Sequence, residues 1–176
     1  AGLVSRAGGP ELVEQLKRVV VIMDLTQNPD GRARLIRDVE EATQGTNPAD
    51  PEDAQNRPHW PTGRFNHRLF DLNRDWAWQT QGETRAKTAA FRHWNPQVLA
   101  DHHEMGSESS YYFPPTMAPL HAAIPEAFKF KWQQAFGNGL ARAFDARGWA
   151  YFSRDVFDLF YPSYGDSWPS LQGAVG

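Results

Sequence analysis

Apolar residues run unbroken through Val19-Val20-Val21-Ile22-Met23 and resume at Leu25 after Asp24, with Lys17-Arg18 in front. β-Branched residues without alternation predict a strand covered on both faces. Upstream, Leu12, Leu16 and Val19 behind Pro10 predict a helix through Lys17. Asn28-Pro29-Asp30-Gly31 predicts a turn that ends the strand. Leu35, Ile36, Val39 and Ala42 then share one face of a second helix. Gln44 to Gly63 is polar and proline-rich and predicts a long loop. Periodicity returns at Glu83 to Trp94, a helix stopped by Pro96. Val98 to His103 predicts a second buried strand, and Ser107 to Pro115 an aromatic loop. Phe128, Trp132, Phe136, Leu140 and Phe144 recur at every fourth position and predict a helix with a core stripe, ending near Gly148. Tyr161 to Gly176, rich in Gly, Pro and Ser, predicts a loop.

Short apolar strands alternating with helices predict an α/β fold, a mixed, largely parallel sheet sandwiched by helices. The 176 residues suit one domain around one core. With 7 Trp and 11 Phe, aromatic rings are expected to dominate that core rather than to stack on ligands. A formal net charge of −3 provides no basic footprint, which argues against nucleic acid as a partner. No apolar run approaches the roughly 18–20 residues of a membrane span. The absence of cysteine removes disulfides and thiolate ligands, so any metal must sit on His, Asp or Glu. It leaves the compartment open, because exported bacterial proteins also lack cysteine.

Two short stretches carry the candidate chemistry. Asp71-Leu72-Asn73-Arg74-Asp75-Trp76 sets an amide beside a guanidinium, a pairing suited to gripping a carboxylate. Arg64-Phe65-Asn66 lies just upstream, so two arginines and an asparagine amide could hold a carboxylate and polarise a nearby carbonyl. A local ion-pair network with Asp71 and Asp75 is the plain competitor. Asp101-His102-His103-Glu104 delivers imidazoles at the end of an apolar run. Strand alternation lets only one of the two histidines face a site, and Asp101 is placed to orient His103. Glu104 is a base, a ligand or an ordinary loop carboxylate. His59, His67, His93 and His121 have no partners at informative spacing.

Together these pieces resemble the M14 zinc carboxypeptidase family. The matching segments, in order, are Asn28-Pro29-Asp30-Gly31, Arg64-x-Asn66, Asp71 to Trp76, Asp101 to Glu104, and Tyr164-Gly165-Asp166-Ser167-Trp168. The resemblance implies a carboxypeptidase-like fold and zinc-activated water attacking the last peptide bond of a substrate with a free C-terminal carboxylate. It implies that His103 is a zinc ligand, that Asn73 and Arg74 bind the terminal carboxylate, and that Arg64 stabilises the oxyanion. Tyr161 or Tyr164 would cap the substrate.

The chain also departs from the family pattern. The His-x-x-Glu motif that supplies two zinc ligands is expected before the first strand, and the catalytic glutamate just beyond Gly176. The chain therefore reads as a partial catalytic domain spanning 1–176, with zinc held by the full-length parent and weakly or not at all by this piece. A binding module that kept the carboxylate pocket and lost the metal is the alternative. A self-contained hydrolase using His102, His103 and Glu104 is disfavoured, since adjacent strand residues point apart. Three structural expectations follow. Arg64, Asn73, Arg74 and His103 converge on one concave surface. His103 faces that cleft while His102 packs, hydrogen-bonded, against the opposite layer. Exposed sheet edges promote self-association.

Overall fold

A computed structural model describes residues 9–43, 59–105 and 109–176, and side chains outside 130–132. Among the described residues, helices α1 (Gly9–Leu16) and α2 (Pro29–Thr43) come first, and α3 (Gly82–Trp94) follows a 3-10 turn at Leu72–Arg74. A π-helical stretch at Ala127–Trp132 runs into α4 (Gln133–Asp145), and a short α5 (Ser167–Leu171) lies near the end. The strands are β1 (Tyr111–Tyr112), β2 (Met117–Leu120), β3 (Tyr151–Phe152) and β4 (Asp158–Leu159). They form two separate parallel pairs, β1 with β3 and β2 with β4. The α/β character is therefore present, but the described strands make two small ribbons instead of one covered sheet.

The largest difference from expectation is Val19 to Leu25. It joins no helix and no ladder among the described residues, and its apolar residues are 53–84% exposed. Composition made it a strand candidate; a strand also needs a neighbour for its N–H and C=O groups, and none of the described segments supplies one. Val98 to His103 behaves similarly. Among the described residues its only pairing is an isolated bridge from Val98 to Val175, with Leu99 N donating to the Val175 carbonyl at 2.8 Å.

Asn28-Pro29-Asp30-Gly31 starts a helix rather than turning back. The Asn28 side chain accepts from Gly31 N at 3.0 Å, the action of an N-cap, and Pro29 takes the first helical position. Its amide also reaches the Gly63 carbonyl at 3.2 Å, and a Cβ on Gly31 would collide with that carbonyl. Arg34, one turn further, donates to the carbonyls of Thr62, Phe65 and Asn66. These contacts moor the 62–66 loop on α2. The Pro-rich segment over 44–58 lies outside the described residues.

The core sits where a loop was expected. Ser163, Ser167, Trp168, Pro169, Ser170, Ala174 and Val175 are all buried. Trp168 packs on Trp76 (centroids 5.4 Å apart) and edge-on to Phe91 of α3 (5.0 Å), with Ala174, Ala77 and Leu99 completing the cluster. A second aromatic group joins Phe113, Phe144 and Tyr151 between β1, α4 and β3. The expected stripe on α4 is only partly used. Phe136 and Leu140 are 41% and 38% exposed, while Gln133 and Gly137 turn inward. Gly137 lies so close to the Pro114 carbonyl that no side chain fits there, and this contact selects the buried face of α4.

Trp168 joins three segments distant in sequence, so its loss leaves a cavity that none of them can refill. Trp168→Ala is expected to destabilise the fold by about 3–5 kcal/mol, read from urea unfolding. Phe136→Ala, on a half-exposed position, should cost well under half as much in the same measurement.

Candidate functional site

Asp71 opens the site by capping the 3-10 turn. One of its oxygens accepts from Asn73 N at 2.9 Å, and the other accepts from Arg64 Nε at 2.9 Å. Arg74 approaches the same carboxylate at 3.9 Å, so one acid is the counterion of both arginines. Asp75 takes no part in that network. It turns inward to accept from Thr80 N, the Thr80 hydroxyl and Gln81 N, all within 2.9 Å, at the head of α3. Burial opposes its charge, but these hydrogen bonds outweigh burial and hold its pKa below the ordinary value.

Asn73 is the junction. Its Oδ1 accepts from Gly165 N at 2.7 Å and from Trp76 Nε1 at 3.2 Å. With the oxygen doubly engaged, the amide nitrogen lies 3.4 Å from His103 Nε2, the nitrogen that donates to Asp101, so the two side chains touch without sharing a hydrogen bond. Arg74 lies over the Tyr164 ring, 4.4 Å from its centroid, and donates to the Asn73 carbonyl at 2.9 Å. Tyr161 packs at a tilt against Tyr164, ring centroids 4.9 Å apart, while its hydroxyl accepts from Trp78 Nε1. Thus Tyr164, not Tyr161, touches the arginine.

Arg64, Asn73, Arg74, Tyr164 and His103 thereby form one unbroken run of contacts, linked through Asp71. Asn66 stands outside it. Its fully buried side chain accepts from Arg68 N and Phe70 N, and donates to Gln81 and Glu83. It shapes the 66–70 loop and has no donor left for a carboxylate. His102 is exposed instead of packed on an opposite layer; without a strand beyond Val98, no layer is built behind it. Glu104 is also exposed.

His103 pairs with Asp101 at 2.8 Å, and this hydrogen bond, working against partial burial, raises its pKa above 6.5. Asp101 is itself boxed in: a Cβ on Gly165 would fall inside its carboxylate. Neighbouring Asp166 is pushed up to about 6 by burial, although its side chain accepts from Ser167 N. Lys87 lies 3.7 Å over the Trp76 ring, and burial pulls its pKa down to about 8 despite the pull of Asp101.

The donor set around His103 does not make a catalytic zinc site by itself. It offers one imidazole and one carboxylate, whereas such sites use three protein ligands and an open position. The three-ligand grouping found among the described residues lies elsewhere, at Asp30, His67 and Glu83, whose ligand atoms are within 4.8 Å of one another. Sequence spacing gave no hint of it, because α2, the 66–70 loop and α3 bring the three together. Each acid also sits in the first turn of its helix, where a carboxylate is stabilised without any metal.

Asp101→Asn removes the charged acceptor, so the His103 titration midpoint should fall towards 6.5, followed by NMR of the imidazole. The pair's stabilisation is complete below the unfolded pKa and fades as pH rises through the folded value. Asp166 has the opposite sign. The folded state holds its proton up to about 6, so ionisation costs stability as pH climbs from 3.8 to that value. Asp166→Asn keeps the cap and removes the charge. Its stability relative to the parent should rise over that window, by up to about 3 kcal/mol, and stay level above it in urea titrations.

No helix among the described residues is long and apolar enough to cross a membrane. No protein-family model, curated protein or solved structure matches the chain.

Proposed function

We propose that this chain carries the terminal-carboxylate-binding part of a zinc metallocarboxypeptidase of the M14 family, a peptidase that removes a C-terminal residue. The single observation that carries the reading is the junction at Asn73. An amide and a guanidinium suited to a carboxylate lie beside the one histidine that the family pattern makes a metal ligand. The finer architecture belongs to the same proposal: the two parallel ribbons and their helices are the central part of a carboxypeptidase-like sandwich.

In this reading Asn73 and Arg74 receive the C-terminal carboxylate of a peptide. Contact with the Tyr164 ring positions the Arg74 guanidinium and leaves its remaining donors for the ligand. Tyr164 covers the terminal side chain. Arg64 must leave Asp71 to reach an oxyanion, so substrate and Asp71 compete for it. Zinc in the complete site would activate water and polarise the scissile carbonyl; His103 would be one ligand, its ring set by Asp101. Because the described residues supply no full ligand set there, no chemical step is assigned to the isolated chain.

That shortfall favours a second reading, a carboxylate-binding module without catalysis. Both are tested by titrating the chain with a peptide ending in a free carboxylate and with its C-terminal amide, with and without zinc, followed by mass analysis. The expected outcome is preference for the free carboxylate, lost about tenfold or more in Arg74→Ala. The peptide should remain intact, and zinc should bind weakly. Equal binding of acid and amide would sink the carboxylate assignment. Stoichiometric zinc with loss of the terminal residue would instead establish a complete active site within this chain.

A further inference from the structure

We infer that Asp30, His67 and Glu83 form a binding site for a divalent first-row metal ion of the zinc type. The site is apart from the Asn73–His103 junction, and the inference is independent of the carboxypeptidase reading. Its three ligand atoms, two carboxylate oxygens and one imidazole nitrogen, lie within 4.8 Å of one another. His67 Nδ1 stands 2.7 Å from Asp30 Oδ2 and 3.7 Å from Glu83 Oε1. Ligands of a tetrahedral zinc, with bonds of about 2.0–2.1 Å, are about 3.3 Å apart. The two observed separations straddle that value. Asp30 and His67 are half-exposed, so side-chain rotation is free to bring the set to the required spacing.

Charge points to a cation. Two carboxylates share one imidazole, and among the described residues no lysine or arginine pairs with either acid. A helix start accounts for each acid singly; it does not account for their convergence on a common histidine. A divalent ion would neutralise both carboxylates and take the lone pair of a neutral imidazole. The surroundings hold the donors in place. The fully buried Asn66 donates to Glu83 Oε1 at 3.3 Å, the kind of outer contact that orients a ligating carboxylate. Asn66 also accepts from Arg68 N and Phe70 N, and a Phe65–Asp71 bridge closes the loop that carries His67. Arg34, one turn along α2 from Asp30, donates to the Phe65 and Asn66 carbonyls. The three donors therefore come from separately anchored supports, and a bound ion ties the 66–70 loop to the starts of α2 and α3. The donor mix selects the metal. One nitrogen and two oxygens suit zinc and its first-row neighbours, whereas calcium takes roughly six to eight oxygens. Water fills the remaining position.

The experiment is calorimetric titration of the whole chain with zinc, with imidazole NMR to identify the ring that shifts and circular dichroism to show that each variant folds. The expected result is one zinc per chain with a dissociation constant of about 10–100 µM, the His67 ring moving first. His67→Ala, at an exposed position, should weaken binding by about tenfold or more. Glu83→Gln keeps an acceptor for Asn66 and should weaken it by a similar factor. His103→Ala should leave the constant within about twofold of the parent, which separates this site from the carboxypeptidase reading. Zinc should also raise the urea midpoint of the parent and leave that of His67→Ala unchanged. No binding up to about 1 mM zinc would overturn the proposal, and is the result expected if a protonated His67 merely serves as counterion to the two acids. Binding that His67→Ala leaves intact, that His103→Ala abolishes, or that millimolar magnesium displaces would overturn it equally.

Discussion

The docking of residues 163–175 onto the segment from Asn73 to Ala77 is the contact on which the described site depends. Polar and apolar parts act together in it. The Ser163 hydroxyl donates to the Arg74 carbonyl and accepts from Ala77 N, while Asn73 Oδ1 takes Gly165 N and Trp76 Nε1. Every one of these groups would be costly to bury alone, because an unpaired buried donor loses its water without replacement. The Trp76–Trp168–Phe91 cluster supplies the driving force, and the hydrogen bonds fix the register in which it is used. Asn73 stands in both sets, and this is why its amide lies against His103 rather than in the core.

Electrostatics around this junction is a balance among acids held in different states. Asp75 is anchored by three donors, and its charge is favoured. Asp71 is neutralised by arginines, and Asp101 by His103. Asp166, largely buried near Asp101, is the acid whose charge burial opposes, and its pKa is pushed up to about 6. Exposed ion pairs contribute little individually. The Arg64–Asp71 pair, with a partly exposed guanidinium, therefore adds little to stability.

The rest of the chain is organised around a different surplus. The aromatic group of Phe113, Phe144 and Tyr151 ties β1, β3 and α4 together, yet α4 leaves Phe136 and Leu140 at the surface. Together with Val19 to Leu25 and the outer face of α2, the described structure carries much apolar area that its own packing does not cover. Such surface favours contacts with other chains.

Helices were legible in the sequence because their signals are local. Pro96 beyond α3 and the apolar spacing behind α2 act within a few residues, and the observed bounds fall close to the expected ones. The Asn-Arg pair and His103 stood out because their chemistry is carried by residue type. What composition could not decide was partnership. Val19 to Leu25 has the composition of a buried strand, and only the tertiary structure reveals that it finds no neighbour among the described residues. Tyr161 to Gly176 has the composition of a loop, but small residues are what permit backbone to lie against backbone. Gly165 fits beside Asp101 and Ser163 between Arg74 and Ala77 because neither has bulk to clash. Asn66 looked like a ligand group and proved to be a buried loop organiser, a choice made by Gln81, Glu83 and two backbone amides. Sequence determined the body of the longer helices and which polar groups stand close along the chain; long-range contact decided where the short final helix forms and which side chains remain free, because burial and hydrogen bonding depend on neighbours far along the chain.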